Sequence, residues 1–167
     1  DVHHKIKIVG EDYADGRFYA VTFSLPLLRE QGNKIPTYVG RDFFEKNPVL
    51  SFSDEDRRNI LAAHEGRHAQ QASAGVGYLL PKEIDDGLFG GSINPDVEYT
   101  IGEMDANYEA LRRARHGEFA LSSSYFDSTL SKYWEDRSFL KSALRTSSPL
   151  QRKFILTALQ GTEDFNR

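Results

Sequence analysis

Residues 53–73 read SDEDRRNILAAHEGRHAQQAS, and the change of period they bring decides how the chain is read. Ser53 followed by Asp56 places a capping hydroxyl before an acidic first turn, so the stretch predicts a helix from Asp54 to about Ser73, ended by Gly75 and Gly77. In its middle stands His64-Glu65-Gly66-Arg67-His68, the pattern H-E-x-x-H. At about 100° per residue the two histidines lie about 40° apart, on one face, where both imidazoles reach a single zinc ion. Glu65 sits beside that face. From there its carboxylate contacts a water on the metal without having to ligate, which is the placement a general base needs in metal-assisted hydrolysis.

Upstream of this helix the pattern favours strands. His4 to Ile8 alternates, Asp12 to Gly16 reads as a turn, and Arg17 to Leu25 is rich in Phe, Tyr, Val and Thr, which together predict a β-hairpin. Thr37-Tyr38-Val39 adds a short strand, expected near an edge because Pro36 precedes it. Downstream, Asn94-Pro95 opens a second long helix that continues to about His116 before Gly117. Tyr125 to Arg145 and Pro149 to Gln160 follow at helical spacing. Strands first and helices afterwards predict one α+β domain over residues 1–167.

Composition narrows the chemistry. The chain has 167 residues, 39% of them hydrophobic, enough for one core. Its 21 Lys+Arg against 25 Asp+Glu give −4, with the basic residues scattered, which excludes the charge footprint of a nucleic-acid partner. Without cysteine there is no disulfide, thiolate ligand or cysteine nucleophile, so a metal must use His, Asp or Glu. No run of about 18 apolar residues predicts a membrane span. The first residue is Asp1, which suggests a domain cut from a larger secreted or effector protein and leaves localisation unread.

A catalytic zinc takes three protein ligands and keeps one open position. The third candidate lies in Glu103-Met104-Asp105-Ala106-Asn107-Tyr108-Glu109-Ala110. Glu103, Ala106, Asn107 and Ala110 share a helical face, and the two alanines let this helix approach the zinc helix closely. Asp105 points about 200° from Glu103 and is set aside, unless a break near Gly102 rotates the segment to offer Asp105 or Glu109 instead. Asn107, one turn on, is expected to orient Glu103 or His64. On the back of the zinc helix, Ala62, Gly66, Ala69 and Ser73 form a small-residue stripe that predicts close coverage.

The combination of H-E-x-x-H with a later E-x-x-A-[N/D]-x-x-A, carried here by His64, Glu65, His68, Glu103, Ala106, Asn107 and Ala110, resembles the zincin metallopeptidases of the gluzincin type. The resemblance implies one zinc per chain on His64, His68 and Glu103, water activation by Glu65, and a small sheet above two packed helices whose edge strand helps bind an extended peptide. It implies a zinc-dependent peptidase, most simply an endopeptidase acting on a peptide or protein. Two other readings share these residues: a catalytically silent zincin-fold module that binds a protein, and a metal-dependent amidase with a small substrate.

Weaker features are read blandly. His116 is a candidate donor to an oxyanion but better fits a residue at the helix C-terminus; Tyr99 and Tyr108 are further candidates, to which no role is assigned. Arg67 and Gln71 flank the zinc face and suit a salt bridge or solvent exposure. Ser122 to Ser124 lack the neighbours of a serine hydrolase, His3 and His4 sit in a terminus, and the loop from Gly87 to Gly91 reads as a rim of the cleft.

Overall fold

The computed structural model describes residues 3–9, 20–22, 34–40, 54–73, 93–162 and 165, the first three segments by their backbone alone. Strands β1 (His3–Val9), β2 (Ala20–Thr22) and β3 (Lys34–Gly40) are followed by helix α1 (Asp54–Ile60), a π-helical turn (Leu61–Glu65) and α2 (Gly66–Ser73). Helices α3 (Pro95–Arg115), α4 (Ser123–Ala143) and α5 (Pro149–Gly161) complete the order.

The expected α+β architecture, with a zincin-like sheet laid over the zinc helix, needs correction. Among the residues described with their side chains, 81% are helical and none lies in a strand. The described core is helix on helix: Val97, Ile101, Met104 and Leu111 of α3 meet Tyr133 and Leu140 of α4, Ile155 and Leu159 of α5, and Phe165. Long helices with continuous apolar faces bury one another without needing a sheet as the second layer.

The pairing of the N-terminal segments also differs from expectation. β1 pairs with β3 in parallel and β2 with β3 antiparallel, in the order β1-β3-β2, so the predicted hairpin between the first two strands does not form. β3 therefore lies in the middle rather than at an edge. β2 pairs only with Thr37 to Val39, which leaves Pro36, lacking an N–H, outside that ladder.

Local chemistry explains the helix ends. Asn94 accepts a hydrogen bond from the Asp96 N–H at 2.8 Å, Pro95 fills the first position, and Gly117 turns the chain away at φ 72°. Ser148 caps α5 in the same way, accepting from Gln151 N at 3.2 Å. The Ser122 side chain makes no such bond at the start of α4. Instead, the buried Asp56 of α1 accepts from the Ser122 N–H at 2.7 Å, tying α1 to the start of α4. Buried Arg137 fastens α4 to the end of α5 by donating to Leu159 O at 3.2 Å and Thr162 O at 2.9 Å.

The helical run that carries H-E-x-x-H keeps its predicted bounds but not its predicted phase. A π turn inserts extra backbone between α1 and α2, so residues before and after it no longer share one helical register. The small-residue stripe is broken as a result: Ala69 is buried, but Ala62 is exposed and Ala63 takes the inward position. The predicted rim at 87–91, and the side chains of His3, His4 and Ser73, lie outside the described residues.

Candidate metal centre

His64 belongs to the π turn, His68 to the first turn of α2, and Glu103 to the middle of α3. Their ligand atoms all fall within 4.8 Å of one another. The two histidine Nε2 atoms are 3.1 Å apart; Glu103 Oε1 is 3.2 Å from Nε2 of His68, and Oε2 is 3.6 Å from Nε2 of His64. A tetrahedral ion with bonds of about 2.0–2.1 Å requires donors about 3.3–3.4 Å apart, so this donor set fits such an ion in number, chemistry and spacing. α3 runs unbroken through Gly102, which removes the alternative phase. Glu109 accordingly turns to Arg112, with both oxygens at 2.9 Å from the guanidinium.

The electrostatics of the three side chains are those of a negative site that attracts protons or a cation. Burial disfavours a charged His68, yet the hydrogen bond and charge of Glu103, with Glu65 and Gln71, outweigh it and lift the imidazole from 6.5 to about 9. Burial also opposes ionisation of Glu103, but hydrogen bonds from His64 and His68 hold its carboxyl well below the ordinary range. Glu65, 6% exposed, lies close enough for its charge to act on His68.

Around this trio the structure assembles residues that spacing did not connect. Gln71 is buried, with Oε1 2.9 Å from Nδ1 of His68 and Nε2 2.7 Å from Oδ2 of Asp105. Arg67 donates to Asp105 through Nε at 2.8 Å and Nη2 at 3.2 Å. The salt bridge foreseen for Arg67 is thus formed, while Asp105, set aside by helix phase, meets α2 one step behind the donor atoms.

Tyr125 near the start of α4 also feels this charge. Burial, followed by the Glu65, Asp56 and Glu103 carboxylates, pushes its hydroxyl up to about 12 against a hydrogen bond with Thr129. Tyr99 on α3 is raised to about 12 by burial and then by Glu103, Asp136 and Glu65. No local spacing flags Tyr125, because its approach depends on how α4 docks.

Other candidates fall elsewhere. His116 is exposed past the last turn of α3, about 20 Å along the axis from Glu103 at 1.5 Å per residue, with Nδ1 3.4 Å from Arg112. It belongs to the helix end, so the oxyanion role considered for it is withdrawn. Tyr108 packs against Phe165 at 5.2 Å and Tyr133 at 6.1 Å, in the core. Asn107 is buried a turn beyond Glu103, but among the described residues it makes no hydrogen bond to His64 or Glu103.

Comparison of the chain with protein-family models, with curated proteins and with solved structures finds no match.

Proposed function

We propose that the protein is a zinc-dependent peptidase, most simply an endopeptidase, whose metal is held by His64, His68 and Glu103 and whose general base is Glu65. One observation carries this reading: two imidazole nitrogens and a carboxylate, drawn from separate helices, converge within 4.8 Å in the H-E-x-x-H context. Two neutral nitrogens and one anion suit a borderline-soft divalent ion, and three ligands leave one position open. The gluzincin resemblance belongs to the same proposal, through its ligand set alone.

When bound, zinc supplies a Lewis acid that polarises the substrate carbonyl and acidifies water. The chain supplies the rest. Glu65 takes the proton of the attacking water and passes it to the leaving amine, a transfer for which a buried carboxylate beside the ligand face is suited. The hydroxyls of Tyr99 and Tyr125, both raised to about 12, stay protonated at neutral pH.

Purified protein is tested by metal analysis after zinc addition and by hydrolysis of a peptide library with and without chelator. One zinc per chain and chelator-sensitive cleavage are expected. Stoichiometric absence of zinc overturns the proposal, and zinc binding without cleavage of any peptide transfers it to a silent metal-stapled module or an amidase.

A further inference from the structure

Beyond the three ligands, and resting on the metal-centre reading above, we infer that Gln71 is a positioning residue: Asp105 and Arg67 orient its amide so that His68 keeps a proton on Nδ1 and turns the Nε2 lone pair to the metal.

The two ends of a glutamine amide have nearly the same shape, so its neighbours decide which way it faces. Here the Nε2 end meets two groups that only accept: Gly102 O at 3.2 Å and Asp105 Oδ2 at 2.7 Å. Reversing the amide would set oxygen against oxygen at both. Oε1 must therefore face Nδ1 of His68 at 2.9 Å, and because an amide oxygen only accepts, Nδ1 must donate. A neutral imidazole with its proton on Nδ1 has its free lone pair on Nε2, the nitrogen 3.2 Å from Glu103 and 3.1 Å from His64.

Arg67 makes this orientation rigid. Its fork occupies both oxygens of Asp105, at 2.8 and 3.2 Å, leaving the carboxylate little freedom to turn from Gln71. Arg67 immediately precedes His68, and Asp105 lies two residues after Glu103. The same ion pair thus fixes the direction of the amide. Gln71 is 7% exposed, so water is a poor substitute for its oxygen.

The experiment measures the zinc affinity of the full chain by competition with a chromophoric chelator, together with the ring-nitrogen proton resonance of His68 in the zinc-loaded protein. Gln71→Met keeps the length and removes the acceptor; it is expected to weaken zinc binding about 10- to 100-fold and abolish the slowly exchanging Nδ1 proton signal. Asp105→Ala, at a part-exposed position, should weaken binding less and shift that signal. Because Asp105 acts on His68 only through Gln71, the double variant should bind no more weakly than Gln71→Met alone. Wild-type affinity and an unchanged resonance in Gln71→Met overturn the inference, as do additive losses in the double variant. If Gln71→Met does not fold, an unchanged affinity and resonance in Asp105→Ala overturn it instead. Glu103→Gln separates the two levels: loss of zinc in that variant with no effect at Gln71 leaves the metal reading standing, whereas a wild-type chain that takes up no zinc removes both.

Discussion

The core between α3, α4 and α5 and the junction between α2 and α3 share a helix but are held by opposite means. In the core, Met104, Leu111, Tyr133, Leu140 and Ile155 are fully buried, and removal of apolar surface from water supplies the stability. At the junction, His64, His68, Glu103, Glu65, Asp105 and Gln71 gather charge and hydrogen-bonding groups whose desolvation is offset by the ion pairs and hydrogen bonds they make. A single helix can serve both because its faces differ. Met104 points into the core while its neighbours Glu103 and Asp105 serve the junction.

The sharpest way to break the comparison is Glu103→Ala. It should lower zinc affinity by about 10³-fold, near 4 kcal/mol, while the metal-free fold persists, as read by zinc competition and circular dichroism. The opposite cut, Leu111→Ala in the core, should cost about 3 kcal/mol in urea unfolding and leave zinc affinity within a few-fold. If both variants lose zinc and stability together, the regions are not separable as described. Glu65→Gln should retain zinc and reduce peptide hydrolysis by about 10²-fold or more, close to 3 kcal/mol in barrier.

A smaller effect concerns pH. In the metal-free protein His68 is raised from 6.5 to about 9, so its contribution to stability is fully present below 6.5 and lost as pH rises through 9. Glu103 is lowered from 4.5, so its contribution is present above that value and lost only in strong acid. Metal-free protein should therefore lose stability between pH 6.5 and 9, whereas zinc affinity should rise over the same interval because the ion displaces the His68 proton. Denaturant midpoints and zinc titrations at three pH values check both signs. Smallest of all, His116→Ala should change zinc affinity and hydrolysis by less than about 0.5 kcal/mol equivalent, since its side chain sits at the far end of α3.

Helix ends were legible because their chemistry is local. Asn94-Pro95 and Ser148-Pro149 mark starts that need only neighbouring atoms, and α3 and α5 begin at those prolines. α4 begins two residues before the expected Tyr125, since the cap there comes from Asp56, far away in sequence, and it ends two residues before the expected Arg145. Strand pairing departs from expectation for a related reason: alternation shows that a segment can extend but not which partner it takes, and β1 pairs with β3 across the intervening chain.

The sequence by itself determined which residue types are available to hold a metal and that His64 and His68 stand in one helical run, because side-chain chemistry and local periodicity are properties of a few consecutive residues; its phase argument put Asp105 on the far side, whereas Asp105 meets α2. Only the tertiary structure decided the π turn that displaces the small-residue stripe, the exclusion of His116, and the contact of Asp105 and Arg67 with Gln71 behind His68. Those outcomes depend on how α2 and α4 dock against α3, and docking is set by the sum of contacts along whole helices, which no short window of residues contains.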